Sequence, residues 1–232
     1  MPNLSAGPAP PPAGPHPLTG FDAVAWCYDA LAGAVFGPAL KKAQRAALAG
    51  LLPGALRVLI LGGGTGWVLT EVLKLRPEAT VLYLEASTKM LARAQARLST
   101  EMHQAATQVE FRHGTQAMLR HEERFEAIIT FFVLDCIATA EIEPALAQLR
   151  AALQPRGAWL LADFRPARRG WRWLLLRLMY GFFRLTTGLR ARELPDLHSA
   201  LAGWGLHPVN TVTYFGGAIE ATVFREAWAA PQ

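Results

Sequence analysis

Four glycines in the stretch "VLILGGGTGWVL" (Val58–Leu69), namely Gly62, Gly63, Gly64 and Gly66, separate an apolar run from the start of a helical pattern. Backbone N–H groups at such a turn, with a helix N-terminus behind them, make a seat for a nucleotide-like ligand. Without side chains, these residues let the backbone approach that ligand closely. The dinucleotide fingerprint G-x-G-x-x-G fails here, because it requires glycine at Trp67 or at Leu69; the spacing present is G-x-G-x-G. The next apolar run, "TVLYLE", ends in Glu85. A carboxylate at that strand end can accept hydrogen bonds from both hydroxyls of a ribose. Asp135, which follows "FFVL", reads equally as a pocket acid or as a helix N-cap. The six histidines are scattered, and the two cysteines, Cys27 and Cys136, show no metal spacing. No metal is expected, and both thiols read as free and buried.

The elements that must hold these groups alternate between strand and helix. Apolar strands are expected at Arg57–Leu61, Thr80–Leu84, Val109–Arg112, Ala127–Phe132 and Ala158–Asp163. The helical patterns between them run from about Gly66 to Leu75, Thr88 to His103 and Ile142 to Leu153. After a long helical segment and a shorter one at Pro195–Trp204 come "PVNTVTYF" and "AIEATVFRE", which Gly216-Gly217 joins into an antiparallel hairpin. The fold class is therefore α/β: a Rossmann-like, doubly wound sheet of seven strands, mostly parallel, with a C-terminal antiparallel hairpin and helices on both faces. Residues 19–52 form an N-terminal helical cap, broken at Gly37-Pro38, and residues 19–232 make one domain.

Composition narrows the function. With 52% hydrophobic residues and a mean hydropathy of +0.18, the core is ample and some apolar surface is expected to face outward. The net charge of +5 is concentrated in residues 165–192, which carry eight arginines and no acid, while the rest of the chain holds 15 basic and 18 acidic residues. This asymmetry argues against a nucleic-acid surface along the whole chain. Wound as a helix, the segment places Trp171, Leu174, Leu175, Leu178, Phe182, Leu185 and Leu189 on one stripe. Arginines interleaved with aromatics face the other way. That second face suits an anionic membrane surface, a cover helix or a dimer contact. Three arginines interrupt it too often for a membrane span. Residues 1–18 hold seven of the sixteen prolines and no Lys, Arg, Asp or Glu, which reads as a disordered tail and not as a signal peptide.

The chain resembles a class I S-adenosylmethionine-dependent methyltransferase, most of all the small methyltransferases related to ubiquinone and menaquinone biosynthesis. Four segments carry the likeness: "FDAVAWCYDAL" (with Phe21, Asp22, Tyr28 and Asp29), "VLILGGGTG", "LEASTKML" and "LQPRGAWLLADF". The resemblance implies S-adenosylmethionine as cofactor. Gly62, Gly64 and Gly66, with Gly63, would line its methionine and ribose part, and Glu85 would hold the ribose. Ala86, Ser87 and Met90 would lie near the adenine together with Thr115 and Gln116, and Tyr28 would close over the cofactor.

Two acids of the family pattern are replaced, one by Ile60 in the first motif and one by Thr115 after the third strand. Threonine still accepts a hydrogen bond and isoleucine does not. The cofactor's ammonium group therefore needs another acid, for which Asp22, Asp29 and Asp135 are the candidates. The expected reaction is methyl transfer to a small hydrophobic, lipid-like or quinone-like acceptor, with Tyr28 or Asp135 as the base where the acceptor must lose a proton. The expected location is cytoplasmic, with peripheral contact at the inner membrane face. Two alternatives stay open: a methyltransferase-fold protein that binds ligand or membrane without turnover, and a spermidine-synthase-like aminopropyltransferase.

Overall fold

The computed structural model describes residues 36–165 and 197–227. The Pro-rich tail, Cys27, Tyr28, Asp22, Asp29 and all of the arginine-rich segment beyond Arg165 lie outside the described residues.

Helix α1 (Ala39–Leu48) precedes the strand–helix alternation: β1 (Arg57–Leu61), α2 (Trp67–Leu75), β2 (Thr80–Glu85), α3 (Thr88–Glu101), β3 (Val109–His113), β4 (Phe125–Phe131), α4 (Thr139–Ala152) and β5 (Leu153–Phe164). A short helix α5 (Leu197–Ala202) leads into β6 (Leu206–Tyr214) and β7 (Ile219–Glu226). The seven strands form one sheet in the order β3-β2-β1-β4-β5-β7-β6. The first five are parallel, and β7 runs antiparallel between β5 and β6.

The strands are continuous apolar runs because the central ones are buried on both faces. Along β1, Val58 and Ile60 enter a core layer with residues of α1, α2 and α3, while Leu59 and Leu61 enter the opposite layer with Ile142, Leu146 and Leu149 of α4. Side chains alternate across a strand, so one sheet feeds two cores. The same alternation places Trp159, Leu161 and Asp163 of β5 on the α4 side. Trp159 buries its indole N–H there by donating to the Thr130 hydroxyl at 2.8 Å.

Sequence and structure differ mainly at boundaries. Strand pairing begins earlier than the apolar runs suggest: β4 starts at Phe125, and Leu153 already pairs with it, before a register shift between Phe125 and Ala127. Pro155, Arg156 and Gly157, which precede the expected strand at Ala158–Asp163, are part of β5, with Arg156 in the left-handed region (φ +64). Asp135 is not a helix N-cap. It sits in a short 3₁₀ turn, Leu134–Cys136, and α4 begins after Ala138 with no side-chain cap.

One ion pair fixes the connection between β3 and β4. Arg112 donates to both oxygens of Glu123, at 3.0 and 2.8 Å, and to the Met118 carbonyl. The Arg120 N–H also donates to Glu123, at 2.8 Å. Hydrogen bonding from Arg112 holds the Glu123 carboxyl down at about 2, against the opposing effect of burial. A depressed folded-state pKa gives stability that is present above the unfolded value and is lost as pH falls through the folded one. Glu123→Gln is expected to lower the unfolding free energy by about 3 kcal/mol at pH 7. Urea unfolding of both proteins should show that difference shrinking as pH drops from 4.5 toward 2.

Candidate active site

The C-terminal ends of the parallel strands open into a cavity of about 560 Å³. It lies where the strand order reverses between β1 and β4, the position at which open α/β sheets bind ligands. The size is in the range of cofactor and small-molecule sites.

The glycine turn after β1 is shaped by close approaches. Gly62 takes φ +65, and a Cβ there would meet Val133 Cγ2 at 2.4 Å. Gly66 takes φ +86 directly before α2, and its Cβ would fall 2.8 Å from the Ala94 backbone of α3. Gly62, Gly63 and Gly64 line the cavity, whereas Gly66 serves the contact between α2 and α3 and is not part of the wall.

Glu85 joins this turn to the next one. Its carboxylate is buried (6% exposed) and accepts from the Gly64 N–H and the Ser87 N–H, both at 2.9 Å. The Glu85 carbonyl accepts from the Gly114 N–H at 2.9 Å, so a third turn, after β3, hangs on the same residue. Tyr83 donates its hydroxyl to the Gly64 carbonyl at 2.9 Å and pins the loop from below.

Of the residues expected near the adenine, Ala86, Met90, Thr115 and Gln116 line the cavity. Ser87 does not: it is fully buried and caps α3, accepting from the Met90 N–H at 3.2 Å. Thr115 caps the short turn that follows it, accepting from the Ala117 N–H. Ile60 is fully buried beside Tyr83 and Ile129 and closes the core without reaching the cavity. Among the described candidates for its missing charge, Asp135 stands next to the site but is not in its wall: it is buried (5% exposed) and accepts from the Cys136 thiol at 3.4 Å, while Cys136 lines the cavity. Burial and the nearby Asp135, Asp163 and Glu85 push the Cys136 thiol well above its usual range.

The remaining wall was not foreseen from sequence. Lys41 and Gln44 of α1, Trp67 at the start of α2, Phe131 at the end of β4, and Phe132 and Ile137 after it all face the cavity. Phe132 lies in the left-handed region (φ +53), which is unusual for a bulky residue and is often found at functional sites. Its ring stacks at a tilt on Phe164, 5.2 Å between centroids, and Phe164 in turn meets Phe36. Among the described residues no His, Cys, Asp and Glu cluster could hold a metal ion.

A glycine cradle over β1, a buried acid ending β2 and a seven-stranded sheet with β7 reversed together make the Rossmann-like α/β fold seen in class I methyltransferases. Residues 59–159 match the family model described as a methyltransferase domain. A malonyl-[acyl-carrier protein] O-methyltransferase of Halalkalibacterium halodurans is 30% identical over 111 residues, which is 47% of this chain and 39% of that protein. The chain thus spans about two fifths of that relative's length. Among solved structures, the 1,6-didemethyltoxoflavin-N1-methyltransferase of Burkholderia thailandensis, with S-adenosylhomocysteine bound, superposes with a TM-score of 0.66 at 18% identity, covering 95% of this chain and 94% of that one. The mitomycin 7-O-methyltransferase gives 0.64 at 20% identity, covering 82% and 55%. At these identities the likeness describes the fold.

The residues present fit S-adenosylmethionine: the cradle leaves no room for side chains at Gly62, and Glu85 supplies a buried acceptor at the end of β2, where the resemblance puts the ribose. Replacing Glu85 removes both that acceptor and the tie between two turns. Glu85→Ala is expected to weaken S-adenosylhomocysteine binding at least tenfold, about 1.4 kcal/mol, in calorimetric titration. An unchanged dissociation constant would show that the ribose is not held there.

Proposed function

We propose that the chain transfers a methyl group from S-adenosylmethionine to a small hydrophobic acceptor. The observation that carries this reading is one cavity whose wall joins the glycine turn and the Glu85 carboxylate to the apolar side chains of Phe131, Phe132, Val133 and Ile137. When bound, the cofactor supplies a methyl group activated by the attached sulfonium. The chain's own work is then alignment and exclusion of water. Glu85 and the backbone of the glycine turn orient the nucleoside, and the aromatic wall turns an apolar acceptor toward it. The relatives named above are methyltransferases of different acceptors, which supports methyl transfer and leaves acceptor choice to this chain's own walls.

Contact with an anionic membrane surface through residues 165–192 remains part of the proposal on the strength of the sequence pattern. No helix among the described residues is long and apolar enough to cross a membrane.

The test is transfer of label from methyl-labelled S-adenosylmethionine to a panel of hydrophobic phenols, quinols and water-soluble amines. The expected result is label extracted into the organic phase with an apolar acceptor, and at least tenfold less with Glu85→Ala. Label carried only by the water-soluble amines would contradict the proposal.

A further inference from the structure

The cavity wall carries an excess of positive charge that the cofactor reading does not use. Among the described residues that line it, two are cationic, Lys41 of α1 and Arg97 of α3, and one is acidic, Glu85. Both Glu85 oxygens already accept backbone N–H bonds, from Gly64 and Ser87. Asp135 and Asp163 are buried outside the wall. Asp163 lies on the α4 side of the sheet, whereas α1 and α3 pack on the opposite side.

Neither cation is strongly engaged. Lys41 is exposed, its Nζ stands 5.4 Å from the centroid of the Trp67 ring, and it has no carboxylate partner among the described residues. Helix α1 itself, "ALKKAQRAAL", contains no acid. Arg45, 5.3 Å from the same ring, donates instead to Glu71 at 3.0 Å, and Glu71 also takes Lys74 at 3.2 Å. Arg97 pairs with Glu101 at 3.7 Å, and 44% of that acid's side chain is exposed; such surface pairs contribute little. The start of α2 touches both helices that supply the cations. Trp67 meets Lys41, and Gly66 abuts Ala94 of α3, three residues before Arg97 and on the same helix face. The cofactor would add to the imbalance, because its sulfonium and ammonium groups are set against one carboxylate. Ile60, fully buried, stands where the resemblance puts an acid for that ammonium.

We propose that Lys41 and Arg97 form a subsite for an oxyanion on the methyl acceptor, a carboxylate or a phosphate attached to its apolar body. This rests on the methyl-transfer reading above and names the class of acceptor. Lys41 offers a mobile ammonium and Arg97 a planar fork of donors, and both suit an oxyanion. Gln44, one turn after Lys41 on α1 and also in the wall, adds an amide donor. An anion here offsets the charge of the wall and of the loaded cofactor together. Both cations serve binding, and neither gains nor loses a proton in the transfer.

The probes are 4-fluorobenzoate and 4-fluorophenyl phosphate, with 4-fluorobenzamide as the neutral counterpart of similar shape. They are titrated by ¹⁹F NMR into the full chain at low ionic strength, with and without S-adenosylhomocysteine. The wild type is expected to bind one of the anions about fivefold or more tighter than the amide, and the tighter anion tells carboxylate from phosphate. The double variant Lys41→Gln/Arg97→Gln is expected to reduce that preference below about twofold while changing S-adenosylhomocysteine affinity less than about threefold. Lys42→Gln, exposed on α1 and outside the wall, is expected to keep the preference. No preference in the wild type, or the same preference in the double variant, would overturn the subsite. An equal loss in Lys42→Gln would overturn it too, by assigning the attraction to the positive surface at large. So would a parallel loss of S-adenosylhomocysteine affinity in the double variant, which would give the cations to the cofactor's own carboxylate. Failure of the wild type to bind S-adenosylhomocysteine would instead overturn the methyl-transfer reading, and the probe preference without it still decides the oxyanion subsite.

Discussion

A single buried carboxylate organises the cavity. Glu85 accepts from Gly64 after β1 and from Ser87 after β2, and its carbonyl accepts from Gly114 after β3. Three turns that would otherwise move independently share one residue. Burying an ionised acid is tolerable only when its oxygens are bonded, so the site's geometry and the acid's presence support each other. The seat proposed for the nucleoside is consequently built in advance, which lowers the ordering that binding must bring about.

The sheet edge explains why polar groups collect here. Strands β2 and β5 keep apolar side chains through their centres and carry an acid, Glu85 or Asp163, at or next to the last residue, and β7 runs the other way, so its first residues meet the last residues of β5. Helices cover the faces and leave the strand ends open. Acids placed at those ends, Glu85, Asp163 and Glu220, are buried without entering the apolar layers, and Glu85 reaches the cavity wall. Ile60, one residue short of the end of β1, cannot do the same and takes its place in the packed layer.

The parts of this that were legible in the sequence are those set by local pattern. The apolar strands, the glycine turn and the terminal position of Glu85 all follow from spacing, and the strand spans came within a few residues at most sites. The acid cluster was not legible, because Asp163 and Glu220 are brought together by the β5–β7 register and not by sequence distance. Ser87 and Gly66 carry motif positions, yet their work is helix capping and helix packing, a distinction that only three-dimensional contacts reveal. The left-handed Phe132 leaves no mark in composition, and Lys41, Gln44 and Trp67 join the wall through helix placement.

The most direct test of this account is a crystal structure of the chain with S-adenosylhomocysteine. The account predicts the ribose hydroxyls within hydrogen-bond distance of the Glu85 carboxylate, the adenine against Met90 and Thr115, and the sulfur facing the turn that carries Cys136. A ligand whose ribose lies away from Glu85, or a saturated crystal in which this cavity holds no ligand, would contradict it.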